Sequence, residues 1–257
     1  MMRNIARILR DIDSANSYQP NWYAVFFKPT YIIRSYLASN IFRFSNKYCV
    51  PHMKILDVGC GEKPYRNMFQ NCDYSGIDIH GGPLDDELKK VDAYFDGISI
   101  PFKDYQFDVV LLIEVLEHAE YPERLLLEIK RVLKKDGILF MTMPFAWREH
   151  GAPYDFRRLT SYGHRKILEE AGFIVSSIEN STGIFGTCGQ MISEYFYELF
   201  SSIIPRGFGY SYKFFIRKLF VFLVCSPIQI IALGSDYVFG RSGITSTYAV
   251  VAVKHDV

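Results

Sequence analysis

The sequence lacks most of the features that would announce a chemistry by themselves. Its five cysteines, Cys49, Cys60, Cys72, Cys188 and Cys225, are odd in number and scattered, with no C-x-x-C among them. That excludes a disulfide framework and a cysteine zinc site, and fits a reducing, cytoplasmic setting. Histidines 52, 80, 118, 150, 164 and 255 supply no H-E-x-x-H, so no metal is expected. No G-K-[ST] follows a glycine-rich turn, which excludes a P-loop. There is no internal repeat, no low-complexity tract and no uninterrupted run of ~20 apolar residues of the kind that spans a bilayer. The nearest, KLFVFLVCSPIQIIAL (218–233), is broken by Ser226-Pro227 and Gln229. The opening MMRNIARILRDID is basic but has no apolar h-region, so no secretory signal is expected.

Excess charge is missing too. Lys and Arg number 29 against 28 Asp and Glu, a net charge of +1, which argues against a nucleic-acid partner held by bulk electrostatics. The distribution is uneven: residues 1–54 carry eight Lys/Arg against only Asp11 and Asp13.

What is present is core-forming material. In a chain of 257 residues, 49% are apolar, enough for one large α/β domain with an elaboration. KILDVG (54–59), YSGIDI (74–79), AYFDG (93–97), FDVVLLIE (107–114), ILFMTMP (138–144), IVSSIEN (174–180) and STYAVVAVK (246–254) read as strands. PERLLLEIKRVLKKDG (122–137) reads as an amphipathic helix with Pro at its start and Gly past its end, and TSYGHRKILEEAGF (160–173) as a helix capped by Thr160. Alternating strands and helices imply a doubly wound, mainly parallel Rossmann-like sheet with helices on both faces. Four segments follow: an N-terminal helical segment (1–50), the core (51–180), an apolar helical insertion or cap (181–244) and a final core strand (245–257).

In KILDVGCGEKPYRNMF (54–69) a strand runs into Asp57, then Gly59-Cys60-Gly61, and then a pattern that turns helical. A dinucleotide fingerprint wants a third glycine where Pro64 stands, and a pyrophosphate would meet Glu62. A nucleoside ligand without a pyrophosphate fits better. Asp57 could hold a cationic ammonium, Asp78 could accept two ribose hydroxyls at the end of the second strand, and Asp96 could accept an adenine amino group at the end of the third. Three carboxylates at adjacent strand ends suit a zwitterionic ligand with an unphosphorylated sugar. S-adenosylmethionine meets that description; NADP does not.

ILDVGCG, GIDI, FDGISIPFKDYQFDVVLLIEVLEH and LLLEIKRVLKKDGILFMTMP together resemble the class I S-adenosylmethionine-dependent methyltransferases of the small-molecule type, over about residues 54–180. The resemblance implies a seven-stranded sheet whose last strand inserts antiparallel. It also implies that Asp57, Gly59 and Gly61, with Cys60 between them, form the first cofactor motif. Asp78, with Ile79 beside it, would bind ribose, Asp96 or the neighbouring Gly97-Ile98 would meet adenine, and Glu114 would line the methionine side. S-adenosyl-L-homocysteine would be the product.

Two clusters offer a base for a hydroxyl acceptor. IEVLEH places Glu114, Glu117 and His118 past the fourth strand, and REHGAPYDFRRLT (148–160) follows the fifth. His150 or His118 would be the base, Asp155 the carboxylate that orients it, and Tyr154, Arg157 and Arg158 would receive an acidic acceptor. An Asp155–Arg158 ion pair that merely locks the loop is the competing reading. The HGAPYDFRRLT loop together with the helical insertion resembles methyltransferases encoded beside bacterial surface-polysaccharide enzymes, which implies O-methylation of a sugar or another small hydroxyl compound. The alternatives are C-methylation of a lipophilic quinone and a cofactor-binding module without catalysis. The apolar helices, with Lys213, Arg217 and Lys218, are expected to serve as a cap, a homodimer face or a peripheral contact with the inner membrane.

Overall fold

A computed structural model describes residues 18–82, 84–205 and 209–255. The basic opening stretch MMRNIARILRDID lies outside the described residues. These residues form two compact units, one of residues up to Ser39 with Asn180–Ser246, the other of Asn40–Glu179 with the chain from Thr247 onward.

The second unit is built on a seven-stranded sheet: β1 (Lys54–Val58), β2 (Asp73–Ile79), β3 (Ala93–Phe95), β4 (Phe107–Ile113), β5 (Leu133–Pro144), β6 (Phe173–Asn180) and β7 (Thr247–Lys254). The order is β3-β2-β1-β4-β5-β7-β6. β1, β2, β3, β4 and β5 pair in parallel, while β7 runs antiparallel against β5 with Met141 opposite Val250. This is the expected mainly parallel sheet with a late antiparallel insertion. Ile55, Leu56, Val109, Val110, Leu111 and Leu112 are fully buried, as central parallel strands covered on both faces must be.

The strand order reverses between β1 and β4, so connections leave their carboxyl ends in opposite directions and open a crevice there. Helices α1 (Tyr31–Tyr48), α2 (Pro122–Val132) and α3 (Ser161–Glu170) belong wholly or in part to this unit. α2 starts on Pro122 and buries Leu125, Leu126, Ile129 and Val132, a stripe at helical spacing in which each fully buried side chain stabilises by roughly 1.5–3 kcal/mol. It ends four residues earlier than its sequence pattern indicates. Leu133 turns extended (φ −69°, ψ 139°) and pairs with Phe107, so Leu-Lys-Lys-Asp-Gly opens β5 instead of finishing the helix. Thr160 caps α3 as expected, its hydroxyl accepting from the Gly163 N–H at 3.2 Å.

The helical pattern after Gly61 is not realised. Only a 3-10 turn, Arg66–Phe69, lies between β1 and β2. Gly61 and Lys63 both take positive φ (48° and 55°), and Pro64 follows. A continuous helix cannot pass through those dihedrals.

The other unit contains the 3-10 turn Trp22–Phe26, α4 (Ile184–Ile203), α5 (Tyr210–Phe220), a π-helical turn (Val221–Cys225) and α6 (Ser226–Phe239). Tyr210–Phe239 is one unbroken helical stretch, long and apolar enough to cross a membrane by length and composition. Ser226-Pro227 and Gln229 interrupt the apolar run, as the sequence indicates, but the helix continues through them, with a π turn immediately before Ser226-Pro227. Buried polar groups tie the early and late parts of this unit together. Gln190 donates to the Pro29 carbonyl at 2.8 Å, Ser226 to that of Val25 at 3.0 Å, and Gln229 to that of Lys28 at 3.1 Å. Buried Asp236 accepts from the N–H groups of Gly183 (2.8 Å) and Gly186 (3.0 Å), placing an anion at the start of α4.

Candidate active site

The carboxyl ends of β1, β2, β3 and β4 surround a cleft of about 920 Å³ lined by Gly59, Gly61, Asp78, Ile79, Asp96, Gly97, Glu114, His118 and Tyr154, among others. A ligand the size of a nucleoside with an amino-acid tail is within the range that such a volume accommodates.

Gly59 has φ +73°, and a Cβ there would stand 2.4 Å from Val115 Cγ2. The bare backbone is therefore required by the turn after β4 as well as by the cleft. Asp78 accepts from the Gly61 N–H through Oδ2 and from the Ile79 N–H through Oδ1, both at 2.8 Å. Those bonds aim the carboxylate and leave further lone pairs for a ligand. Asp96 Oδ1 accepts from the N–H groups of Ile98 (2.8 Å) and Ser99 (2.6 Å), which pulls its pKa below the ordinary value. Glu114 lines the cleft from a left-handed backbone position, φ 54°, a strained conformation of the kind that concentrates at functional sites.

Two residues of the expected cofactor set do not line the cleft. Asp57 is buried and accepts a short hydrogen bond from the Tyr74 hydroxyl; burial pushes its pKa up to about 7, against the lowering effect of that bond. Cys60 is likewise buried, its thiol turned toward the Gly61 carbonyl at 3.8 Å. Sequence reading missed His80, Tyr94 and Lys89. His80 stacks on Tyr94 with centroids 3.7 Å apart, offering flat surface at the β2–β3 side of the cleft. Lys89 bonds the carbonyls of Ile79 (2.7 Å) and Gly81 and so fixes the loop after β2. The β2–β3 pairing brings His80 and Tyr94 together.

The two histidine loops meet. His118, in the 3-10 turn Leu116–His118, has its ring 4.8 Å from that of His150. The loops are sewn together by Phe156 N–H to Glu117 O (2.9 Å), by His118 Nδ1 against Tyr154 O (2.6 Å), and by Arg157. Arg157 donates to the carbonyls of Leu116 (3.0 Å) and Ala119. Arg158 grips Asp155 with both terminal nitrogens, at 2.5 and 2.7 Å, and this pairing holds the Asp155 pKa down at about 2. Neither arginine lines the cleft, and both are engaged in contacts that hold the two loops. Asp155 also accepts from the His150 backbone N–H at 2.9 Å, while the His150 ring Nδ1 stands 3.4 Å from its Oδ2. His150 itself does not line the cleft. Burial and the neighbouring His118 push its pKa below the ordinary histidine value. Glu117 is fully buried, with its pKa raised well above the carboxylate range by burial and then by Glu114.

Comparison with known proteins falls on the same elements. Residues 56–141, from β1 through most of β5, match the family described as "Methyltransferase domain". The matched core of the sheet comprises 86 of the 257 residues. Its sequence is similar to a ubiquinone biosynthesis O-methyltransferase of Haemophilus ducreyi, 31% identical over 106 residues, which cover 35% of this chain and 44% of that one. The matched segment spans less than half the length of the curated relatives. The fold is shared with phosphoethanolamine N-methyltransferase 2 of Haemonchus contortus, solved with phosphomonomethylethanolamine and S-adenosylhomocysteine (TM-score 0.53, 14% identity, 85% of this chain and 52% of that one). It is shared equally with the [4+2]-cyclase SpnF (TM-score 0.51, 18% identity, 85% and 80% coverage). This fold hosts more than one reaction, so an activity has to follow from the chemistry of the site.

Proposed function

We propose that the protein transfers a methyl group from S-adenosylmethionine to a hydroxyl of a sugar or another small molecule, releasing S-adenosylhomocysteine. One observation carries this reading: Asp78, Asp96 and Glu114 line one cleft together with the bare backbone of Gly59 and Gly61. That set suits ribose hydroxyls, an adenine amino group and an ammonium, and it disfavours a phosphorylated cofactor. The transfer is an in-line displacement at a sulfonium methyl, so the chain's own tasks are alignment and management of the hydroxyl proton. His118 reaches the cleft and donates Nδ1–H to the Tyr154 carbonyl, which leaves Nε2 as its basic atom. Tyr154 and Phe156 extend the cleft on that side as acceptor surface.

Incubation with methyl-labelled S-adenosylmethionine and fractionated cell extract tests the reading. Label is expected in a glycan or small-molecule fraction, attached to oxygen. Label in quinone lipids on carbon would favour the C-methylating alternative. Cofactor binding by calorimetry with no label in any fraction would leave only a binding module.

A second proposal concerns where the enzyme works: in the cytoplasm, against a lipid surface. Phe215, Leu219, Phe222, Leu223 and Ile231 are exposed, Lys213, Arg217 and Lys218 accompany them, and no acidic residue occurs between Glu198 and Asp236. Sedimentation with vesicles rich in anionic phospholipid is expected to carry the protein down, less so at high salt and less so for Phe222→Asp/Leu223→Asp. A homodimer by light scattering, with no vesicle binding, would assign the face to a second copy instead.

A further inference from the structure

Glu117 poses a problem that the methyl-transfer reading does not use. It is fully buried, and neither carboxylate oxygen has a hydrogen-bond partner. A buried carboxylate left in that condition costs several kcal/mol unless something compensates it. Two imidazoles stand nearest it, with the Arg158 guanidinium and the Glu114 and Asp155 carboxylates also acting on it. His118 Nε2 lies 3.7 Å and His150 Nε2 3.8 Å from the same oxygen, Oε1, too far for hydrogen bonds.

The ring nitrogens on the far side explain which atoms point inward. His118 Nδ1 is taken by the Tyr154 carbonyl at 2.6 Å. His150 Nδ1 stands 3.4 Å from both the Arg148 carbonyl and Asp155 Oδ2. Arg158 Nη2 is 3.5 Å from that nitrogen, but it is already committed to Asp155 at 2.7 Å and to the Arg148 carbonyl at 3.2 Å. Both imidazoles are therefore oriented as Nδ1–H donors, and both Nε2 lone pairs face a carboxylate. Three electron-pair donors aimed at one point repel one another unless a proton or a metal cation sits between them. Metal-bound histidines show this outer arrangement, the second nitrogen donating to a carbonyl or carboxylate.

We propose that Glu117 Oε1, His118 Nε2 and His150 Nε2 bind one divalent transition-metal ion of the zinc class. The three donor atoms lie within 4.8 Å of one another. Tetrahedral coordination at about 2.0–2.1 Å would hold them roughly 3.3 Å apart, so side-chain rotations that draw the donors inward by well under ~2 Å close the site. Two imidazoles and one carboxylate suit zinc, cobalt or nickel better than magnesium or calcium, which prefer all-oxygen shells. With three protein ligands the ion keeps an open position, and because His118 lines the cleft that position would receive an acceptor hydroxyl and lower its pKa. With the ion bound, the His118 Nε2 lone pair is a ligand and no longer a base, so activation of the hydroxyl would pass to the ion. That role rests on the methyl-transfer reading, whereas binding of the ion does not. The sequence does not display the site because its ligands come from two loops separated by β5 and lack the i, i+4 spacing of a helical motif.

The test is metal binding, read separately from turnover. Chelator-stripped full-length protein is titrated with Co(II), followed by its visible d–d absorption, and with Zn(II) in competition. One equivalent is expected to bind, with affinity falling at least tenfold in His150→Ala, His118→Ala and Glu117→Gln. Because Glu117 is buried, His150→Ala, whose ring is partly exposed, decides the matter if the Glu117 variant fails to fold. No saturable binding, or equal binding by wild type and His150→Ala (an ion held by cysteines), would overturn the site. Calorimetry with S-adenosylhomocysteine on the same samples keeps the two readings apart: bound metal without bound nucleoside would sink the methyl-transfer proposal and leave this one standing.

Discussion

Asp78→Ala is expected to weaken S-adenosylhomocysteine binding by about 1–3 kcal/mol, roughly five- to 150-fold, as measured by calorimetry. Two losses combine. The first is the pair of charge-assisted hydrogen bonds that the carboxylate would offer to ribose hydroxyls. The second is orientation, because the same carboxylate holds the N–H groups of Gly61 and Ile79 at 2.8 Å and so joins the turn after β1 to the end of β2. Asp78→Asn separates them: it keeps one acceptor oxygen and the shape, so its loss should be smaller. Asp96→Ala should cost less than Asp78→Ala, since Asp96 is tied only to the following backbone, at Ile98 and Ser99. Unchanged affinity in Asp78→Ala, with the variant still folded, would remove the ribose assignment and most of the proposed cofactor site with it.

His164→Leu is expected to flatten the acid limb of the stability curve. His164 lies on α3, fully buried, with neither ring nitrogen hydrogen-bonded and its ring edge-on to Tyr248 at 5.5 Å. Burial pushes its pKa down from 6.5 to about 4. The sign follows from proton counting. Between these two values the unfolded chain binds a proton that the folded chain refuses, so stability is complete above pH 6.5 and falls as pH drops toward 4. The full effect is on the order of 3 kcal/mol. Asp57 works the other way: its folded pKa of about 7 lies above the ordinary 3.8, so it destabilises the fold as pH rises through that interval. Comparing urea midpoints of wild type and His164→Leu at pH 7 and pH 4.5 cancels the Asp57 contribution, which both proteins share. The variant should be at least as stable as wild type at pH 7, having lost two unsatisfied buried nitrogens, and clearly more stable at pH 4.5. Parallel loss in both proteins would show that His164 does not carry the acid sensitivity.

The sheet was legible because its signals are local. β-branched runs at β1, β4 and β7 need no information beyond their own residues to mark buried strands, and Pro122 and Thr160 announce helix starts by backbone chemistry alone. Cleft residues at strand ends, such as Gly59, Gly61, Asp78, Asp96 and Glu114, were legible for a related reason: a parallel sheet delivers the carboxyl ends of its strands to one edge whatever lies between them. The segment after Gly61 was misread as helix because positive φ at Gly61 and Lys63 depends on packing between β1 and β2, which periodicity does not report.

Side-chain duties were much less legible. Asp57 and Asp78 look equivalent as aspartates beside glycine-rich turns, yet one is sealed under Tyr74 and the other lines the cleft. Arg157 and Arg158 look like anion receptors, and each is consumed by a partner that only loop docking supplies. The sequence alone determined a mainly parallel seven-stranded architecture and the glycine and carboxylate set at its switch point, because strand propensity, turn chemistry and chain order act over a few residues. Tertiary structure alone decided that Glu117, His118 and His150 share one spot, that His164 is buried without a hydrogen-bond partner, and which charges remain for a ligand. Those outcomes depend on distances between residues far apart in the chain, and electrostatic and hydrogen-bond energies change over a few ångströms that no local pattern encodes.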